Sequence, residues 1–104
     1  MSYRVVFLTE AERDIDCIEE YLSQFYTSTA QNFFTQLKKQ VFMLEDMPYF
    51  CPVYEDDTYF RRMVVSDYLL FYSIDEKRQL VVIHRIFHSK RDTSQLILGH
   101  RPLE

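Results

Sequence analysis

The chain has one glycine in 104 residues, Gly99, and no tryptophan. So little glycine excludes the Gly-rich loops that cradle phosphates in nucleotide-binding folds. It also leaves tight turns to other residue types. Only three prolines occur, Pro48, Pro52 and Pro102; with so little proline and glycine a disordered chain is not expected. Two cysteines, Cys17 and Cys51, are too few for a zinc site. One falls in a helical pattern and the other beside two prolines, so no disulfide is expected. No apolar run approaches the roughly 18 residues of a membrane span. The first residues lack the charged-then-apolar pattern of a secretory leader. A cytoplasmic protein with no membrane contact is expected. No metal-ligand cluster, cofactor motif, nucleophile elbow or paired-carboxylate signature occurs, and neither a metal nor a cofactor is expected.

What the chain has is aromatic mass and divided charge. Nine Phe and eight Tyr supply a core without cross-links. The formal net charge is −4, and the halves differ in sign. Residues 59–91 hold seven basic side chains (Arg61, Arg62, Lys77, Arg78, Arg85, Lys90, Arg91) against three acidic ones. Residues 1–58 hold four basic against eleven acidic. Such a split suggests one face for an anionic partner and another that is solvated.

One compact domain is expected over residues 1–98, with 99–104 a tail whose final Leu103-Glu104 reads as a cloning scar. The run YRVVFL at 3–8 predicts a strand. Thr9 and Glu12 have capping-box spacing, and Ala11, Ile15, Ile18, Leu22 and Phe25 then recur at three and four. Ser28 and Gln31 suggest a second box, followed by the stripe Ala30, Phe33, Phe34, Leu37, Val41 and Leu44, with Pro48 as the stop. The link Thr27-Ser28 between the helices forces an antiparallel hairpin. Residues 48–58 read as a loop with an edge-like segment. Strands follow at 59–65, 68–74 and 80–87, joined by Ser66-Asp67 and by the polar turn 75–79, so they form an antiparallel meander. TSQLIL at 93–98 reads as a short amphipathic tail. The fold class is α+β, in the order β-α-α-β-β-β. The helical hairpin packs on one face of an antiparallel sheet, leaving the opposite face concave and partly open.

Alternation along strand 80–87 places His84 and His88 on one face with Leu80, Val82 and Ile86, and Arg85 on the other with Val81, Ile83 and Phe87. Arg61 and Arg62 point to opposite faces, and parity alone does not say which shares a face with an Arg of the later strand. Arg61, Arg62, Arg85, His88, Lys90 and Arg91 are the candidate anion-binding group. Guanidinium groups clamp phosphate, and an imidazole exchanges protons near neutrality. RNA cleavage would need a base, a cation for the transition state and an acid, which Arg61, Arg62, His88, Lys90 and Arg91 could provide. The same charges could instead guard a sheet edge against aggregation. His84, in an apolar strand, reads as a hydrogen-bonded core imidazole, and about 13 Å of strand separates it from His88, too far to share a metal. Tyr68 and Tyr72, in step with Leu70, read as core.

The ordered set YRVVFLTEAERDIDCIEEYL, LEDMP, RRMVVSDYLLFYSIDE and VVIHRIFHSKRD resembles the RelE/ParE superfamily of toxins from bacterial type II toxin–antitoxin modules, in its ParE-like, plasmid-stabilisation branch. The resemblance covers residues 3–96. It implies the β-α-α-β-β-β fold, a cognate antitoxin partner, and assembly as a homodimer or toxin–antitoxin hetero-oligomer. It implies a target that is DNA gyrase in ParE-like members, bound without catalysis, or the ribosome with mRNA in RelE-like endoribonucleases. The chain departs from the nuclease pattern. Tyr68 is followed by Leu69 rather than Arg, only Arg61 and Arg62 stand for the lysine pair of the preceding strand, and no Tyr follows Tyr72. The low pI, about 5.3, also departs from a ribosome binder's basic character. The gyrase reading is therefore put first, the ribosome-dependent endoribonuclease second, and a non-toxic member that only binds its antitoxin third.

Overall fold

The computed structural model describes residues 2–90. Within them the elements run β1 (Arg4–Phe7), α1 (Thr9–Leu22), α2 (Thr27–Asp46), β2 (Val53–Tyr54), β3 (Asp57–Val65), β4 (Tyr68–Asp75) and β5 (Leu80–His88). The strands form one sheet in the order β1-β5-β4-β3-β2. β3, β4 and β5 make the expected antiparallel meander. β1 adds to β5 in parallel, making the sheet mixed. The expected tail at 93–98 and the boundary at 98 lie outside the described residues.

The helical hairpin covers one face of the sheet because both apolar stripes point there. Ala11, Ile18, Phe33, Leu37 and Leu44 from the helices meet Met63, Val65, Leu70, Tyr72, Val81, Ile83 and Ile86. Each large aliphatic or aromatic side chain buried this way contributes about 1.5–3 kcal/mol. Tyr68 and Tyr72 belong to this core, as their alternation with Leu70 predicts. The Tyr72 hydroxyl donates to the Pro48 carbonyl at 2.7 Å, satisfying a buried phenol and pinning the chain where α2 stops.

The face away from the helices differs from the open concavity expected. Tyr54, Phe60, Phe71 and Phe87 form a second buried cluster there, with Leu69 packed against it. Aromatic content large enough for two layers is the physical reason.

The helix starts also differ. Neither capping box forms a side-chain cap hydrogen bond. Leu8 and Tyr26 are the N-caps, Thr9 and Thr27 are already helical, and the link between the helices is 23–26 rather than Thr27-Ser28. Extended φ/ψ at Leu8 and Tyr26 opens each helix, and their carbonyls accept from Glu12 and Thr29.

With no glycine available, Ser66 (φ 55°) and Gln79 (φ 54°) supply the left-handed residues that the two hairpin turns require.

A bulge in β5 sets the site geometry. Phe71 pairs with Arg85 while its neighbour Tyr72 pairs with Ile83, so His84 is an extra residue in the ladder. Parity therefore flips in mid-strand. Ile83 and Ile86 both face the helices, whereas Phe87 lies in the opposite cluster. The shared face expected for His84 and His88 is corrected by this bulge.

Candidate functional site

β1 ends at Phe7, so β5 loses its outer neighbour after Ile83. Helix α1 covers the exposed edge there. The Asp14 carboxylate accepts the Ile86 N–H at 3.0 Å, replacing the missing strand. The same carboxylate takes two bonds from Arg85, Nε at 2.7 Å and Nη2 at 2.9 Å. The Arg85 guanidinium also lies 4.3 Å from the centre of the Phe87 ring. Arg85 is thus held in a bidentate, ring-stacked clamp.

Arg61 and Arg62 do point to opposite faces. Arg61 pairs with Tyr72 on the helix face. Its Nη1 donates to the Cys51 carbonyl at 2.6 Å, and its guanidinium sits 4.9 Å from the Tyr49 ring centre. It organises the loop after α2. Arg62 pairs with Phe71, which pairs in turn with Arg85. Arg62 and Arg85 therefore share the face away from the helices, one on each side of Phe71.

His84 is buried, with Nε2 2.8 Å from the Ser73 hydroxyl and its ring edge-on to Phe60. This is the core imidazole that an apolar strand predicts. His88 lies on the helix side at the end of β5. It pairs with Tyr68, and the two rings meet edge to face at 5.3 Å. The Lys90 N–H donates to His88 Nδ1 at 3.2 Å, so in the neutral ring the proton sits on Nε2. Ser89 N–H donates to the Asp67 carbonyl at 2.8 Å, fastening this strand end to the β3–β4 turn. Lys90 is exposed. Arg91 lies outside the described residues.

The candidate group thus divides three ways. Arg62 and Arg85 flank Phe71 on the outer face, Arg61 is turned into the α2–β2 loop, and His88 and Lys90 share the strand end. Among the described residues no three His, Cys, Asp or Glu side chains converge as metal ligands. No described helix is long and apolar enough to cross a membrane.

A groove of about 600 Å³ opens beside His88. Tyr21, Thr29, Asn32, Phe33 and Gln36 of the helices form one wall, and Ser66, Asp67, Tyr68 and His88 form the other. Sequence periodicity did not single out this place, because its lining comes from four separate segments. Asn32 and Gln36 give no signal of their own, because they belong to the exposed polar face of α2.

A second polar cluster ties the opposite end together. Glu76, in the β4–β5 turn, accepts the hydroxyl of Tyr3 at 2.5 Å and that of Tyr49. These two bonds lower the Glu76 carboxyl below its ordinary range. The bond to Glu76 raises the Tyr3 phenol to about 12 and moves Tyr49 in the same direction. Burial raises the Cys51 thiol, whereas Cys17 is exposed; both are free.

The architecture and the sequence have known counterparts. The chain of the chromosomal ParDE system of P. aeruginosa superposes with a TM-score of 0.73 at 13% identity, covering 86% of this chain and 98% of that one. The RelBE2 toxin–antitoxin complex of Mycobacterium tuberculosis matches with a TM-score of 0.57 at 23% identity, covering 85% and 99%. The RelE–RelB complex of Pyrococcus horikoshii matches at 0.63 and 17%, covering 88% and 100%. These likenesses establish the fold. No protein of curated function matches the sequence. Residues 5–93 match the family model described as the ParE toxin of the type II toxin–antitoxin system parDE. With this match spanning most of its length, the chain belongs to the ParE toxin family of type II toxin–antitoxin systems.

Proposed function

We propose that this toxin acts in the cytoplasm on DNA gyrase, by docking rather than by catalysis, and that a cognate antitoxin neutralises it. One observation carries the non-catalytic reading. Arg61, a cation that a phosphodiester-cleaving site would use, is already engaged by the Cys51 carbonyl, and Arg85 of the wider anion-binding group is engaged by the Asp14 carboxylate. A general base, a general acid and a transition-state cation must act on one phosphate. Here Arg62 sits on the outer face and His88 on the helix side. The antitoxin partner is supported by similar folds solved as toxin–antitoxin complexes.

A ribosome-dependent endoribonuclease is the second reading. It draws on His88 and Lys90 sharing one strand end, with Arg91 next in sequence and Arg61 or Arg62 as the remaining cation. One experiment separates the two. Purified toxin is added to a gyrase supercoiling reaction and, in parallel, to mRNA on translating ribosomes. Loss of supercoiling with intact mRNA supports the proposal. Codon-dependent mRNA cleavage with unaffected gyrase supports the nuclease. No effect in either assay, with normal growth when the chain is expressed alone, identifies a non-toxic antitoxin-binding member.

A further inference from the structure

From the groove beside His88 we infer a binding site for an arginine side chain presented by a partner protein, with the Asp67 carboxylate as its counter-ion and the tyrosine rings as its walls. The inference rests on the reading of this chain as one that docks proteins, and it names a chemical group that docking would use.

The groove offers acceptors and aromatic surface, and among the described residues its lining contains no lysine or arginine. The Asp67 carboxylate takes part in neither salt bridge found among the described residues. Gln36 donates its amide N–H to Gln40 at 3.0 Å, and Gln40 donates to the Val64 carbonyl at 2.7 Å. This relay uses one of the two Gln36 N–H donors and leaves its carbonyl oxygen as an acceptor. Burial raises the Tyr68 hydroxyl above its ordinary pKa, and the nearby Tyr21 hydroxyl and Asp67 carboxylate add to the rise. The Tyr21 hydroxyl and the Asp67 carboxylate, both in the lining of the groove, thus each act on the Tyr68 hydroxyl.

A ligand suited to this lining is planar, cationic and rich in N–H donors. A guanidinium meets all three requirements: its fork matches a carboxylate bidentately and its face stacks on tyrosine. A lysine ammonium lacks the fork. A guanine base offers N–H donors, but its phosphates would enter a groove whose described lining carries the Asp67 carboxylate and neither lysine nor arginine. The chain already uses this recognition internally, where Arg85 sits between the Asp14 carboxylate and the Phe87 ring.

The test titrates the full chain with Nα-acetyl-arginine amide and follows backbone amide resonances by NMR. Nα-acetyl-citrulline amide, of the same shape and uncharged, is the control. Saturable shifts confined to Asn32, Gln36, Asp67, Tyr68 and His88 are expected. Citrulline should bind about tenfold more weakly, as should arginine to Asp67→Asn, since one charge-assisted hydrogen bond is worth that much. Asn suits the turn position, and Gln36→Leu gives a second reading from a helix surface. Arginine and citrulline binding equally, guanosine binding more tightly than arginine, or undiminished binding by both variants would each overturn the site. So would the absence of saturable shifts at millimolar probe. The supercoiling assay is independent of this titration, so the failure of one is distinguishable from that of the other.

Discussion

Replacing Asp14 by Ala removes three hydrogen bonds at once: two from Arg85 and one from the Ile86 N–H. The Arg85 and Asp14 side chains are 19% and 14% exposed, so the pair lies between a buried bridge and a surface one. Breaking a buried pair costs about 3–5 kcal/mol and an exposed one about 0–1 kcal/mol. An intermediate loss of about 1–2 kcal/mol follows for the guanidinium. The orphaned Ile86 N–H, on a strand edge that water reaches once the carboxylate is gone, adds about 1 kcal/mol. The total of about 2–3 kcal/mol corresponds to a drop of about 10–20 °C in Tm for a domain of this size. Asp14→Asn keeps an acceptor for Ile86 and should lose about 1 kcal/mol. Urea unfolding of wild type, both variants, Arg85→Met and the Asp14→Ala/Arg85→Met pair measures this. A coupling energy of about 1–2 kcal/mol between the two positions is expected, with m unchanged. A loss under about 0.5 kcal/mol for Asp14→Ala, the range of an ordinary surface substitution, would refute the claim that α1 caps the edge of β5. Equal losses for Asn and Ala would refute the assignment of the Ile86 bond.

Four further outcomes are expected. Ser66→Gly and Gln79→Gly should each stabilise the fold by about 0.5–1 kcal/mol, since both residues hold a left-handed φ that glycine adopts without a Cβ clash; thermal melts check this. Tyr72→Phe should cost about 1–2 kcal/mol by leaving the Pro48 carbonyl unpaired in the core, read by the same melts. In alkaline titration followed by phenolate absorbance, Tyr3 and Tyr49 should ionise above ordinary tyrosines, and Glu76→Gln should move both back down. Because these folded-state phenol values are raised, their stabilisation is complete below pH 10 and fades as pH rises above it, for Tyr3 toward about 12. Glu76 is lowered, so its contribution holds at neutral pH and fades as pH falls below 4.5. With a disulfide-exchange reagent at neutral pH, Cys17 should react at once and Cys51 only on unfolding.

Much of this fold could be read along the chain. Alternation marked β3, β4 and β5 to within two residues, and Pro48 correctly ended α2 near Asp46. Periodicity also separated the helix-facing Leu70 and Tyr72 from Leu69 and Phe71 of the outer cluster, because successive side chains of a pleated strand point to opposite faces. The site was less legible, for reasons local to particular residues. The extra residue at His84 breaks that alternation, so every side-chain direction after His84 came out reversed. Two adjacent polar residues, His84 and Arg85, inside an apolar strand were the trace of the bulge. The capping boxes failed because an extended Leu8 or Tyr26 opens each helix without a side-chain cap hydrogen bond. The partners of Arg61 and Arg85 lie 10 and 71 residues away. No local pattern announces such a pairing, which is why a basic cluster in sequence became three separate placements in space.

The measurement that tests the central claim most directly is a gyrase supercoiling assay with the purified toxin, run beside the same toxin carrying His88→Ala, Lys90→Ala and Arg91→Ala together. Docking through the strand end predicts that the wild-type chain blocks supercoiling, the triple variant does not, and mRNA on translating ribosomes stays whole. Cleaved ribosomal mRNA with supercoiling untouched would contradict it.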